Sequence, residues 1–288
     1  MTTEIEPVTY RSVSQIKEYL ECGWRYKLSR RDGAWKRPAA WLPHGTAVHA
    51  AAEAWERSGR TMTVDEVQDV FRREYAAAVN QYLEITPNVH EWFASGRYRG
   101  EEDIARRHRI GLDQVTSYIR YYRDHPTEMI WRTPDGTPAI ELRVTAEIAG
   151  VPMLGIIDQV VSVPAVPKPR PRSKAAAAIS EQTAAGALPR LRVRDIKTGT
   201  QPGDAWQLKV YALILQALYG IEITEGDYWM AKTGKPTKIY DLGATRSAEV
   251  GQTIAMANEG ILAEDFHPNP GDACKRCPVA TACKYRFS

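Results

Sequence analysis

The chain has 288 residues, 43% hydrophobic and 25% charged, and 38 Lys and Arg against 35 Asp and Glu leave a formal net charge of +3. That composition excludes wholesale disorder, a collagen-like repeat and a coiled-coil rod. The length allows one large domain or two of ordinary size around a sizeable core.

Residues 12–30 read as a first helix. Ser12 or Ser14 is placed to cap it, and Ile16, Tyr19, Leu20, Trp24 and Leu28 are apolar at helical spacing. The Ala-rich stretch 45–58 is a second helix, and 63–83 and 101–124 are two more with strongly charged faces. The chain to about residue 135 is therefore expected to be helical. The period then changes. Residues 140–148 (IELRVTAEI) alternate as a half-buried strand, 153–163 (MLGIIDQVVSV) form an apolar strand interrupted by Asp158, and 191–197 (LRVRDIK) alternate again. These three are expected to pair as a meander. Residues 205–219 read as a buried helix, 226–231 and 237–242 as strands about a Thr233–Pro236 turn, and 246–262 as a last helix before a cysteine-bearing tail from 264 to 288. Between two of the strands, 164–190 is dominated by Ala and Pro and carries Lys168, Arg170, Arg172, Lys174 and Arg190 against Glu181 alone. Such a stretch has little to bury and is expected to be a mobile insertion. With so small a net charge, any nucleic-acid surface must be a local patch.

Four constellations carry chemistry. Asp195 and Lys197 are two apart in a strand and so share a face. Asp158 interrupts an apolar strand, where a carboxylate is costly without a compensating cation. Two carboxylates and a lysine on one sheet face suit a magnesium or manganese ion, although a buried Asp–Lys pair would use the same residues. His49 lies on the Ala-rich helix, a metal ligand or a packed histidine, with Glu53 four residues on as a candidate orienter. Gln207 and Tyr211 are four apart on the helix after DIKTG. Cys274, Cys277 and Cys283 form a tight triad, and Cys22 is the remaining thiol. Four thiolates suit tetrahedral zinc or a [4Fe–4S] cluster, and either would tie the first helix to the tail. No apolar run reaches the ~18 residues that span a bilayer. The opening MTTEIEPVTYRSVSQ lacks a basic-then-apolar leader, so the expected location is the cytoplasm, without a membrane partner. The Thr233–Pro236 stretch lacks the rest of a phosphate-binding loop.

Taken in order, SVSQIKEYLECGWRYKL with Cys22, GTAVH with His49, GIIDQV with Asp158, DIKTG with Asp195 and Lys197, QLKVY with Gln207 and Tyr211, and the last three cysteines resemble the RecB-type exonucleases of the PD-(D/E)XK nuclease superfamily. They are most similar to its iron–sulfur branch, which includes CRISPR-associated and phage-encoded exonucleases. The resemblance implies an α/β (mixed α+β) restriction-endonuclease-like core, a mixed sheet flanked by helices, with a helical N-terminal part (1–135), a core (136–263) and a cluster-bearing tail (264–288) in one nuclease domain. It implies metal-dependent cleavage of DNA from an end, single-stranded by expectation, in recombination, repair or replication. Magnesium or manganese would be held by His49, Asp158, Asp195 and the Ile196 carbonyl, and Lys197 would position the attacking water. Gln207 and Tyr211 would complete the catalytic set, and Glu141 would lie near it. Cys22, Cys274, Cys277 and Cys283 would hold a [4Fe–4S] cluster. Gly23 stands where relatives often carry proline, with little effect expected. Partners would be DNA and recombination or CRISPR adaptation proteins. The competing reading is a non-catalytic DNA-binding or assembly subunit whose iron–sulfur or zinc site is structural.

Overall fold

The computed structural model describes residues 10–164, 189–243 and 247–286. Most of the expected insertion, from 165 to 188, lies outside the described residues. In chain order the elements are β1 (Arg11–Ser12), α1 (Val13–Glu21), α2 (Gly23–Tyr26), α3 (Trp41–Arg57), α4 (Val64–Ile85), α5 (Gly100–Asp124), β2 (Met129–Ile130), β3 (Ile140–Ile148), β4 (Val151–Val163), β5 (Arg190–Lys197), α6 (Ala205–Tyr219), β6 (Glu225–Met230), β7 (Lys235–Pro236), β8 (Tyr240–Asp241) and α7 (Ser247–Leu262). Short 3-10 turns follow in the tail.

The helix expected over 12–30 is broken. Ser12 and Gln15 form a reciprocal capping box that starts α1, with Gln15 N–H donating to Ser12 Oγ at 3.1 Å and Ser12 N–H to Gln15 Oε1 at 2.8 Å. At Cys22 the backbone is extended (φ −167°, ψ 106°), which ends α1. The thiol then accepts the Arg25 N–H at 3.4 Å and so caps α2. A π-helical turn, Lys27–Arg31, follows. A cysteine that caps a helix with its own sulfur holds that sulfur at the start of the new helix. Hydrophobic periodicity cannot register such a turn.

The β3–β4–β5 meander is antiparallel throughout. α6 then crosses over to β6, which runs parallel to β5. β7 and β8 close the far side of β6, so the second strand expected at 237–242 is reduced to Tyr240–Asp241. Two short strands that alternation does not reveal, β1 and β2, add to the thirteen-residue β4. The result is a mixed sheet flanked by helices. On one face α1, α6 and α7 bury Ile16, Leu208, Ile214 and Ile254 against Val144, Met153, Ile157 and Val193. On the other, α3, α4 and α5 bury Ala51, Trp55, Phe71 and Ile119 against Ile196 and Trp229. No helix among the described residues is long and apolar enough to cross a membrane.

Because both faces are covered, β5 is not the half-buried strand its alternation suggests. Arg194 is fully buried and Arg192 nearly so. Their charges are met by β6: Arg194 Nε donates to Asp227 Oδ1 at 2.7 Å and Nη2 to Asp227 Oδ2 at 2.9 Å, while Arg192 donates to Asp227 at 3.1 Å and Glu225 at 2.8 Å. Arg194 also reaches Glu128 at 2.6 Å and the Tyr122 hydroxyl at 3.0 Å. A bidentate, fully satisfied guanidinium is one of few ways to bury a cation.

A second buried polar group sits under the start of α3. His44 is 0% exposed and neither ring nitrogen has a hydrogen-bond partner. Burial, with the Arg107 charge adding to it, lowers its pKa to about 4. The unfolded chain therefore takes up this proton first, and the native state loses stability as pH falls from about 6.5 to about 4, by roughly 3 kcal/mol in all. Urea unfolding of wild type and His44→Leu at neutral and acid pH should show a shallower acid loss in the variant. Equal acid slopes would remove His44 from this account.

Candidate active site

The register of the meander aligns three acids. Ile140 pairs with Gln159, and Gln159 with Arg194. One step further along the three strands, Glu141, Asp158 and Asp195 therefore stand in a row across the sheet. Three carboxylates at adjacent positions repel one another. The backbone is distorted there as well: Glu141 has φ +44°, an unusual value for a non-glycine residue inside a strand. Strain of this kind costs on the order of 1–3 kcal/mol and persists where the surroundings enforce it.

Two cations answer the row. His49 comes from the middle of α3. Its Nδ1 lies 3.1 Å from Glu141 Oε1 and 3.5 Å from Asp158 Oδ2, and its Nε2 lies 3.0 Å from the Ile196 carbonyl. With both carboxylates ionised these partners accept, which favours a doubly protonated ring in the metal-free protein; a bound metal would take the place of one of those protons. Burial opposes that charge, but Asp158 and then Glu141 outweigh it and raise the His49 pKa to about 9. Lys197 is the second cation, 2.7 Å from Asp195 Oδ2.

Each carboxylate is held differently. Asp158 Oδ2 accepts the Ile196 N–H at 2.7 Å, which ties β4 to β5 where their ladder ends. Burial, and the charge of Glu141, push its pKa up against the pull of His49. Asp195 Oδ1 accepts from Gln207 Nε2 at 2.6 Å. Burial first, then the Asp158 charge, raise the Asp195 pKa to about 7. Its Oδ2 is buried and is met by the Lys197 ammonium at 2.7 Å. From α6, Gln207 Nε2 also donates to the Tyr211 hydroxyl at 3.1 Å, which leaves the phenol hydrogen available to another acceptor.

Among the described residues, His49, Glu141 and Asp158 are the group whose ligand atoms lie within 4.8 Å of one another. Asp195 stands beside that group, turned toward Gln207 and Lys197. Glu53, expected to orient His49, instead pairs with Arg57 at 2.7 Å on the outer face of α3. The i,i+4 spacing fits both partners, and the strand opposite supplies Glu141 to His49 instead.

The cysteines lie at the junction of the first helices and the tail. Cys22 Sγ accepts backbone N–H groups of Arg25 and Asn269, each at 3.4 Å. Burial raises the Cys277 thiol pKa, with the neighbouring Cys283 and Cys22 adding to it. No three of these sulfurs come within 4.8 Å of one another among the described residues. The tail backbone passes so close to Gly23 that a Cβ there would stand 3.0 Å from His267 N. The glycine after Cys22 is therefore a close-approach position, contrary to the expectation that its identity has little effect.

The mixed sheet flanked by helices carries an acidic row at the junction of β3, β4 and β5, and the family match makes the protein a nuclease. The chain belongs to the PD-(D/E)XK nuclease superfamily, whose family model matches residues 10–162 and 181–284. It is 45% identical to the Gene 69 protein of Mycobacterium phage D29 over 282 residues, covering 95% of this chain and 96% of that protein. It is 38% identical to the Gene 69 protein of Mycobacterium phage L5 over 301 residues, covering 95% of each. A crystal structure of a candidate exonuclease from Eubacterium rectale overlays with a TM-score of 0.46 at 13% identity, covering 90% of this chain and 84% of that one.

Proposed function

We propose that this protein is a metal-dependent DNA exonuclease that hydrolyses phosphodiester bonds from single-stranded ends. The observation that carries this reading is the row Glu141–Asp158–Asp195 with His49 and Lys197 beside it, in a chain of a nuclease superfamily. In this reading His49, Asp158, Asp195 and the Ile196 carbonyl hold magnesium or manganese, with Glu141 alongside. The donor set fits, being hard oxygens and one imidazole. Asp195 also offers a buried oxygen, Oδ2, which the Lys197 ammonium meets at 2.7 Å. When bound, such an ion activates water and neutralises phosphate charge.

The chain's own residues do the rest. Lys197 points its ammonium at the open side of Asp195, where it orients the attacking water and stabilises charge developing on the phosphate. Gln207 fixes the Asp195 carboxylate through Oδ1 and so leaves Oδ2 beside Lys197. The Tyr211 hydroxyl, already accepting from Gln207, keeps its hydrogen for a phosphate oxygen. The Ile196 N–H holds Asp158 in register, so a shift of β5 would move two ligands at once.

The same reading assigns Cys22, Cys274, Cys277 and Cys283 to a [4Fe–4S] cluster in the tail of a single nuclease unit, helical over 1–135, with its core over 136–263 and its tail over 264–288. Backbone N–H groups donated to Cys22 Sγ suit a thiolate ligand. The phage relatives favour a role in recombination or replication of phage DNA over one with CRISPR adaptation proteins. Cys22→Ser should lose iron and lower the unfolding temperature, because the cluster joins the two ends of the chain. Zinc without iron in anaerobic wild-type protein would replace the cluster with a zinc staple.

The test of activity is anaerobically purified protein with end-labelled single-stranded DNA and manganese, Asp195→Ala alongside. Stepwise loss of label by the wild type alone is the expected result, and 5′ against 3′ labels give the polarity. A wild type with its cluster intact that leaves the label in place would make this chain a DNA-binding subunit.

A further inference from the structure

Away from the acidic centre, the junction between the cysteine tail and the helical layer is grooved. Two cavities of about 370 and 340 Å³ adjoin there, and Arg37, Phe93 and Pro278 line both. Their lining combines cations with aromatic rings. Trp41 and Phe93 stack with centroids 6.1 Å apart and planes 27° apart. The Arg37 guanidinium sits 4.7 Å from the centroid of Phe93. Lys36 and Arg276 are exposed and have no ion-pair partner among the described residues. The one carboxylate in the lining, Glu18, is taken up by Ser29 and Arg30, each at 2.7 Å. Leu42, 41% exposed, adds an apolar edge.

We infer that this groove is a track for single-stranded DNA that feeds the acidic centre. The inference rests on the nuclease reading and extends it from the scissile bond to the strand that carries it. The charge is complementary: unpaired lysine and arginine side chains attract the phosphate backbone without reading sequence. The aromatic pair decides between strands. In a duplex the base faces are stacked on one another, whereas an unpaired strand can offer them to Trp41, which Phe93 backs. The helix that lines the track also carries a residue of the site. Trp41 opens α3, and His49 lies eight residues further along the same helix. At 1.5 Å per residue that is about 12 Å. Cys274 and Cys277 line one of the two cavities, so the junction that anchors the tail also forms a wall of the groove.

The experiment uses the full chain in EDTA, so that binding is read without a loaded metal site. Anisotropy of fluorescein-labelled oligo(dT) and of a blunt duplex of the same length should show tighter binding of the single strand. Lys36→Ala with Arg276→Ala should weaken oligo(dT) binding and flatten its log–log salt slope by about 1.4, since each phosphate contact on a single strand contributes about 0.7. Trp41→Leu should weaken it about tenfold with little change in slope. Manganese-dependent hydrolysis of bis(p-nitrophenyl) phosphate, too short to reach the groove, should be unchanged in all three proteins. Equal affinity for duplex and single strand, or unchanged oligo(dT) binding and slope in the Lys36/Arg276 variant, overturns the track. Loss of oligo(dT) binding in the variants, with no protein hydrolysing either substrate, would sink the nuclease reading and leave the track standing.

Discussion

Asp158→Asn and Asp195→Asn should each lower manganese-dependent cleavage of end-labelled single-stranded DNA by about 10³-fold or more. A metal-activated centre supplies several kcal/mol to the transition state, and each ~1.4 kcal/mol is tenfold in rate. The stability of the same variants should move the other way. Asp195 is pushed up to about 7 from an ordinary 3.8 by burial and by Asp158. An acid whose folded pKa lies above its unfolded one binds its proton more tightly in the native state. Metal-free protein therefore loses stability as pH rises between those two values. Asp195→Asn removes that loss, so in EDTA at pH 8 it should melt no lower than wild type, and above it if relief of repulsion dominates. Scanning fluorimetry in EDTA with the cleavage assay separates the outcomes. An Asn variant that melts far below wild type would make the row structural, and one that cleaves like wild type would remove it from the chemistry. The pairing of lost activity with kept stability is expected where like charges are held together for function.

The largest loss of stability is expected at Asp227, away from the acidic row. Asp227→Asn should cost about 3–5 kcal/mol, because it takes the bidentate counter-charge from the buried Arg194, leaving it Glu128, and leaves Arg192 only Glu225. The loss should be nearly independent of salt, since screening hardly reaches a 0% exposed pair. Glu53→Gln serves as the control. Its pair with Arg57 is 31% and 47% exposed, and its loss should stay below about 1 kcal/mol. Urea unfolding at low and high salt measures both. Replacing Arg194 with Met together with Asp227→Leu should recover much of the loss, as apolar substitutes for buried ion pairs often do. If Asp227→Asn proves as mild as Glu53→Gln, the buried network contributes little to holding β5 against β6.

The helix Ala205–Tyr219 and the β3–β4–β5 meander were legible because their apolar spacing is long and regular. Site residues drew attention for a related reason: Asp158 is polar where the pattern asks for an apolar residue, and Asp195 and Lys197 share one face of a strand. Glu141 was harder to see. It sits at an outward position of an alternating strand, and its place in the row depends on strand register and on a local φ of +44°. His49 offered a helix neighbour, Glu53, as its partner, and the structure gives it a strand partner instead. Residues 191–197 alternate as a strand, which leaves the burial of Arg192 and Arg194 unseen until α5 and β6 close over them. A matching signal was present in Asp227 and Glu225, but only the parallel pairing of β5 with β6 connects the two pairs.

The sequence by itself determined the element types, the order of the motifs, and the scarcity and placement of the thiols. These follow from local periodicity and residue chemistry, which act within a turn of helix or a few residues of strand. Tertiary structure alone decided which carboxylates share a row, that Cys22 breaks the first helix, that β5 is covered on both faces, and that Arg37, Trp41 and Phe93 meet the tail. Those outcomes depend on strand register and on backbones approaching from residues far apart in the chain. No local pattern encodes them, because their energies arise only when the distant surfaces are in contact.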